Sequence, residues 1–419
     1  MLNLQKQIKP LHLSTIDGGG AAIASIRLHR AFVQQGIASR YAVGHKSSDK
    51  SDIIDLKNTM TALEARWYYR AHKKNLFLNQ QAQRTGAIWW SDNRILHTIP
   101  LRLRMMDADL IHMNWVGSGL LPINAMSWIK KPIVWTMHDN WAFTGGCHKA
   151  LDCKQFEIGC GRCPQLQSDD PHDKSYQNYR LKEKSWQNLD LTVVTPSHWL
   201  GERARASSIF KDYRVEVIPN GLDINTFKHL DKQAARQKLS LNPSEKYIFF
   251  GAMNLADRNK GSDLLIAALH KLAEQHQNIH LLIVGNYSET LTLPEQFQVH
   301  PLGFINDEAL SNTIYAAADI CIVPSRQENL SNTIMESLAS GTPVIAFDSC
   351  GNPDLIHHQA HGYLAKAFSI DDLAKGMAWG LSQDAEAGQL ARQYVVDQYN
   401  IEHIAKRYLN LYQEILMKN

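Results

Sequence analysis

Long apolar runs are missing from this chain. No window holds about twenty uninterrupted apolar residues, so no segment is expected to span a membrane. The opening stretch "MLNLQKQIKPLHLSTIDGGG" lacks the apolar segment and the small-residue cleavage site of an export signal. The protein is therefore expected in the cytoplasm. A surplus of one charge is missing too: the formal net charge is +3 over 419 residues, which disfavours a dedicated nucleic-acid binder. Low-complexity tracts are absent, and 44% hydrophobic with 20% charged residues is the composition of a soluble globular protein. Cysteine is scarce, with six in all. Cys321 and Cys350 stand in apolar or small-residue contexts and read as buried thiols. The other four crowd one segment. What is present in quantity is length, enough for two or three domains.

Short β-branched runs alternate with longer helical patterns. A first series comprises "PLHLSTI" at 10–16, "SRYAVGH" at 39–45, "ADLIHMNWV" at 108–116, "PIVWTMHD" at 132–139 and "LTVVTPS" at 191–197. A second comprises "VEVIPN" at 215–220, "KYIFFGA" at 246–252, "IHLLIVGN" at 279–286, "VHPLG" at 299–303, "DICIVPS" at 319–325 and "PVIAFD" at 343–348. Nearly continuous apolar strands separated by helices imply a parallel sheet covered on both faces. Two series imply two doubly wound α/β domains. The junction is expected near 200–220, where Pro219, Asn220 and Gly221 punctuate the chain. The last stretch, 396–419, has helical spacing at Ile401, Ile404, Tyr408, Leu411 and Ile415, and is expected to cross back onto the first domain. Ligands of such sheets lie beyond the carboxyl ends of the strands, here in an expected cleft between the domains.

Several motifs fall at those strand ends. "SRQENLSNTIMESLASGTPVIAF" places Glu328 before a helix and Glu336 inside it. Ser331 or Asn332 can cap that helix, whose first amides then face a phosphate. Glu328 can take hydroxyl hydrogen bonds, and Glu336 can accept a pair of adjacent hydroxyls, as on a ribose. The bland alternative is an exposed helix acid plus a capping acid. "NLADRNKGSDLL" sets Arg258 and Lys260 in a strand-to-helix loop, where two cations suit a diphosphate; a solvated basic turn is the alternative. Gly18, Gly19 and Gly20 follow the first strand and admit either a close anion or merely tight helix packing. A dinucleotide fingerprint is not met, because Ile23 replaces its last small residue and the second strand lacks its acid. His138, beside Asp139 at a strand end, is either a ligand contact or a packed residue.

Cys147, Cys153, Cys160 and Cys163 have the spacing C-x5-C-x6-C-x2-C. Four thiolates can close a tetrahedral structural zinc site, and the C-x2-C half has knuckle spacing. Reduced cysteines and a disulfide are the alternatives. Four sulfur ligands leave no open position for catalysis. Residues 65–106 are basic and aromatic, with Arg66, Arg70, Lys73 and Lys74 among Trp67, Tyr68, Tyr69 and Phe77. That stretch suits either an anionic membrane surface or helices packing with their cations outward.

Taken together, the E-x7-E pair Glu328 and Glu336, "VIPNGLD" at 217–223, "RNKG" at 258–261, the glycine loop and "HD" at 138–139 resemble the retaining, nucleotide-sugar-dependent glycosyltransferases of family four. "HDNWAFTGGC…GCGRCPQ" further resembles a bacterial subgroup that builds surface polysaccharides. The resemblance implies a GT-B fold: an acceptor-side Rossmann-like domain at 1–214 with a cysteine-rich insertion at 147–163, a donor domain at 215–395, and the returning helix at 396–419. It implies that Glu336 holds the nucleotide ribose and Glu328 touches donor-sugar hydroxyls. Arg258 and Lys260 would neutralise the diphosphate, the backbone of Asn329, Leu330, Ser331, Asn332 and Thr333 would cradle phosphate, and His138 would touch the donor sugar. Many relatives carry arginine after the glycine that ends the strand, whereas Ala252 follows Gly251 here. No cofactor is required for the chemistry, and zinc would be structural. The implied partners are a nucleotide-sugar donor and a glycan or lipid-linked acceptor, with peripheral contact at the cytoplasmic face of the inner membrane. A nucleotide-sugar epimerase of the same fold and a non-catalytic binding protein are the rival readings.

Overall fold

The computed structural model describes residues 8–84, 89–286 and 293–418. By internal contacts the chain divides into two compact units: residues up to Asn220 together with Glu402 onward, and Gly221–Ile401.

Unit one is built on a seven-stranded sheet, ordered β3-β2-β1-β4-β5-β6-β7. Its strands are β1 (Pro10–Ile16), β2 (Arg40–His45), β3 (Ile53–Asp55), β4 (Leu110–Met113), β5 (Ile133–Thr136), β6 (Leu191–Thr195) and β7 (Arg214–Val217). Every pairing is parallel. β1, β4, β5 and β6 are buried along nearly their whole length, which is why they read as unbroken apolar runs rather than alternating ones. Residues 215–217, read above with the second series, form the edge strand of this first sheet, paired with β6. Their hydrophobicity could not tell which sheet they join; the parallel pairing with β6, after a crossover through the helix His198–Ala206, does. The three-residue β3 was too brief to stand out from the sequence.

Helix α1 (Gly20–Gln34) follows β1, and α2 (Ala62–Arg84) precedes β4. The C-terminal helix, Ile401–Lys418, buries Ile404, Tyr408, Leu411 and Ile415. Its tyrosines reach under the sheet: Tyr412 Oη lies 2.5 Å from His112 Nδ1, and Tyr408 Oη lies 2.9 Å from Thr136 Oγ1.

Unit two carries a six-stranded parallel sheet, ordered β10-β9-β8-β11-β12-β13. The strands are β8 (Lys246–Asn254), β9 (Ile279–Asn286), β10 (Gln298–Gly303), β11 (Ile320–Val323), β12 (Val344–Phe347) and β13 (Gly362–Ala365). Its two faces hold separate cores, one around Phe249, Leu282 and Leu338 and the other around Ile248, Leu269 and Ile345. Helices α3 (Ser262–Ala273) and α4 (Asn332–Ala339) follow β8 and β11. Among the described residues, no helix is long and apolar enough to cross a membrane.

Candidate active site

The site in unit two grows from two loops beyond the carboxyl ends of neighbouring strands. After β8 the chain enters a single turn, Arg258–Lys260, whose first amides are met by the Asp257 carboxylate at Asn259 N. It then reverses at Gly261, with φ +72°. A Cβ there would sit 2.0 Å from Pro324 O, so only glycine lets this loop approach the one after β11. The loops are tied further by Asn259, buried, which donates Nδ2 to Gln327 O at 3.0 Å while its own carbonyl accepts from Arg326 N at 2.8 Å. Arg326 forks onto both oxygens of Asp263 at 2.9 and 2.6 Å.

This bracing brings together two sequence-predicted residues that are 68 positions apart. Lys260 Nζ lies 2.6 Å from Glu328 Oε1. The adjacent carboxylate raises the lysine above its ordinary value, against the opposing effect of burial. Lys260 therefore stays a cation throughout the physiological range. Arg258 stands exposed on the same turn.

Ser331 is the cap of α4; its hydroxyl accepts from Ile334 N. Leu330 is buried in the core below and fixes the loop just ahead of the cap, while Asn329, Asn332 and Thr333 are half-buried at the helix start. Glu336 lies on the second turn, and its Oε2 accepts from Tyr315 Oη at 3.1 Å. Tyr315 is buried, and its phenol is pushed up by that burial and by Glu336, so it donates and does not ionise. The sequence places Asn259 and Gly261 inside the motif "RNKG" without showing their bracing role, and it does not reveal Tyr315. Gly261 carried a cue in its place between a basic turn and a helix; Tyr315 carried none, since it looks like any core residue of its helix.

The remaining candidates lie in unit one. Gly18 and Gly19 follow β1 in the loop after Asp17, and Gly20 begins α1. Gly19 has φ +83°, and α1 has neither a side-chain cap nor an acid in its first turn. The preceding Asp17 holds the loop after β2 through the amides and hydroxyls of Ser47 and Ser48, at 2.6 to 2.9 Å. Burial would raise that carboxyl, but these four donors pull it well below its usual range. His138 follows β5, half-buried, 3.4 Å from Asn114 Oδ1. Burial lowers it to about 4, against the opposing pull of Asp139, so its ring is neutral at pH 7. Asp139 accepts from Trp115 Nε1 at 2.9 Å and Trp141 N at 2.8 Å, and lies 2.6 Å from His148 Nδ1. His148 in turn meets Ser91 Oγ at 2.7 Å. Ser91 and His148 are sealed from solvent, so this chain of contacts organises the loop.

The four cysteines line one small cavity of unit one, with Trp90, Thr144 and Phe156. All four are free thiols. Burial pushes Cys147 up to about 12 and raises Cys160 and Cys163 as well. As placed, no group of three or more His, Cys, Asp or Glu side chains among the described residues forms a metal-ligand set.

Two family models match the chain: Glycosyltransferase Family 4 over residues 18–226 and Glycosyl transferases group 1 over 231–395. An uncharacterized glycosyltransferase of Methanocaldococcus jannaschii, MJ1607, is 30% identical over 270 residues, 60% of this chain and 66% of that protein. WcaC of Escherichia coli, whose name assigns it provisionally to colanic acid biosynthesis as a glycosyl transferase, is 24% identical over 79% of this chain and 80% of its own length. Among solved structures, sucrose-phosphate synthase from Thermosynechococcus elongatus superposes with a TM-score of 0.70 at 18% identity, covering 99% of this chain and 100% of that one. Anabaena HepE in complex with UDP and glucose superposes at 0.65 with 18% identity, covering 97% and 100%. These two likenesses show the fold. With one model on each sheet-bearing half, and the braced lysine–glutamate pair beyond the strands of the second, the chain belongs to the family-four, group-one glycosyltransferases of the GT-B fold.

Proposed function

We propose that unit two binds a nucleoside-diphosphate sugar and that the enzyme passes the sugar, with retained anomeric configuration, to a glycan or lipid-linked saccharide during surface polysaccharide synthesis. The observation that carries this reading is the Lys260–Glu328 pair, held beyond the ends of β8 and β11 beside the capped start of α4. Lys260 and Arg258 supply positive charge where a diphosphate leaves. The amides from Asn329 to Thr333 add hydrogen-bond donors and the helix dipole. Glu336, oriented by Tyr315, takes the ribose hydroxyls, and Glu328 takes those of the sugar. Retention follows if the departing phosphate accepts the proton of an acceptor hydroxyl attacking from the same face. No step passes through a metal; a zinc ion at the four cysteines would be structural. The HepE complex with UDP and glucose, in the same fold, and the WcaC name are the supporting likenesses.

The test is a screen of nucleotide sugars against lipid-linked and free glycans, with the product anomer read by NMR. Transfer with retention is expected. Epimerised donor, or binding without turnover, would replace this reading by one of its rivals.

A peripheral membrane seat belongs to the same proposal. On α2, Leu63, Trp67, Tyr69 and Phe77 are exposed together with Arg66, Arg70, Lys73 and Lys74. Residues 85–88 of this basic stretch lie outside the described residues. Apolar and cationic side chains on one exposed helix fit an anionic lipid surface. The doubly charge-reversed variant Lys73→Glu, Lys74→Glu should bind anionic vesicles at least tenfold more weakly, at about 1 kcal/mol for each lost cation and more for the added acids. Equal sedimentation with vesicles would remove the seat.

A further inference from the structure

Two indole rings stand side by side where β4 and β5 end in unit one. Trp115 follows β4 and is half-buried. Its ring centre lies 5.8 Å from that of Trp89, which is 45% exposed. Trp90, next in the chain, is turned inward and is 1% exposed. A lone exposed indole is ordinary. A pair of them locked at the strand ends of a parallel sheet, where ligands of such sheets lie, is not.

Both rings are held from behind. Trp115 Nε1 donates to Asp139 Oδ2 at 2.9 Å, which turns the polar edge of that ring inward. The same carboxylate accepts from Trp141 N at 2.8 Å and lies 2.6 Å from His148 Nδ1. His148 packs against both indoles, its ring centre 5.5 Å from that of Trp89 and 5.4 Å from that of Trp115. Its amide donates to Trp89 O at 3.0 Å, and Ser91 N donates to Gly146 O at 2.9 Å, so the Trp89 segment is tied along its backbone to the loop after β5. The loop after β4 is clamped to the same histidine. A Cβ at Gly117 would stand 2.8 Å from His148 Cε1, and Ser118 N donates to Ser91 Oγ at 2.8 Å. Rings fixed in this way lose little freedom when a ligand settles on them.

The chemistry at this edge selects the occupant. Trp115 offers its ring and not its N–H, which Asp139 has taken. Asn114, Ser118 and His138 stand at the same strand ends, and none is charged at pH 7: burial lowers His138 to about 4. With Nε2 turned to Asn114 Oδ1 at 3.4 Å, the His138 ring keeps Nδ1 to accept from a hydroxyl. The charge beside the rings is the Asp139 carboxylate, which repels a phosphate. A lipid tail has no hydroxyl for His138. A pyranose has C–H bonds on one face and hydroxyls around its edge, which matches an apolar face with neutral polar groups at its rim.

We propose that Trp89 and Trp115 form the stacking platform for the acceptor saccharide, and that the unit seated on it is a neutral pyranose. The inference rests on the transfer reading given above and assigns its acceptor half to named residues of unit one. The pyranose lays its C–H face on the indoles, and His138 takes one of its hydroxyls.

The test uses the full chain. Saturation-transfer NMR with the methyl pyranosides of glucose, galactose and mannose should show at least one bound through the C–H protons of one face. Methyl glucuronide, which adds a carboxylate to the glucose ring, should bind more weakly than methyl glucoside. Trp89→Ala should weaken pyranoside binding, and raise KM for the glycan acceptor, about tenfold, the scale of one lost aromatic anchor. Trp89→Phe keeps an apolar ring and should stay within about threefold of the parent. Affinity for UDP and GDP should be the same in parent and variants, and circular dichroism should show all of them folded. Unchanged pyranoside binding and acceptor KM in Trp89→Ala, or a parent chain that binds none of the methyl pyranosides, overturns the platform. A chain that transfers sugar from its nucleotide donor yet is indifferent to Trp89 loses the platform and keeps the transfer reading. A chain that binds pyranosides through Trp89 but no nucleoside diphosphate keeps the saccharide site and loses the transfer reading.

Discussion

The two sheet-bearing units hold their polar residues in opposite ways. In unit two, Lys260, Glu328 and Glu336 stand on loops or in the first turns of a helix just beyond strand ends, partly open, with supports on the adjoining loop for the pair and on the helix Glu308–Ala317 for Glu336. In unit one the polar groups are carried inward. His112 sits between Tyr412 and Thr136, and His148 between Asp139 and Ser91, with His12, His29, His72 and His97 also buried. The difference teaches that polar groups can be placed for opposite ends: carried into the core, where their partners are fixed side chains, or braced at strand ends, where they stay open to solvent. Loops on a rigid scaffold carry function, and buried polar groups mainly specify the core.

The comparison breaks most severely at the pair itself. Lys260→Ala and Glu328→Ala should each lower transfer by about a hundredfold or more, the scale of a lost charge-stabilising contact. Thermal midpoint and circular dichroism should be nearly unchanged, because the pair is only partly buried. Turnover within a few-fold of the parent would place the chemistry elsewhere.

Acid should separate the units next. Burial holds His112 at about 3 and His29, His72 and His97 at about 4, all below the ordinary 6.5. The folded state thus favours their neutral rings. Their contribution to stability is complete above pH 6.5 and is lost as pH falls from there toward 4 and 3. Unit two has His361, also at about 4, and a more modestly lowered His300. All ten tryptophans except Trp379 lie in unit one, so intrinsic fluorescence reports chiefly on that unit. Its unfolding midpoint should drop on the order of ten degrees between pH 7 and pH 5.5. A flat midpoint over that range would mean that these rings are not held neutral by the fold.

The smallest effect sharpens the role of a residue invisible to motif reading. Tyr315→Phe removes one hydrogen bond to Glu336, worth about 1 kcal/mol. Donor KM should rise about five-fold with kcat little altered. An equal loss in kcat would mean that Tyr315 acts on the transition state and not on ribose binding.

Much of this was legible in the residues. The alternation of apolar strands and helices foretold two parallel sheets, since a strand covered on both faces must be apolar throughout. β1 (Pro10–Ile16) and β9 (Ile279–Asn286) begin and end where the pattern placed them. The basic turn, the serine cap and the two glutamates were readable because each depends on neighbours within a few positions. Other features depended on distance. Which sheet receives residues 215–217 was decided by pairing with β6. The bonding of Lys260 to Glu328 was decided by Gly261 admitting Pro324 O. Tyr315 beneath Glu336 and Lys182 beneath Trp141 came from packing of elements far apart in the chain. Local sequence determines which segments can be strand, helix or turn, because propensity and periodicity act over a few residues. Only tertiary structure decides which charges meet, because burial and Coulomb attraction depend on distance in space, which loop closure sets and residue spacing does not.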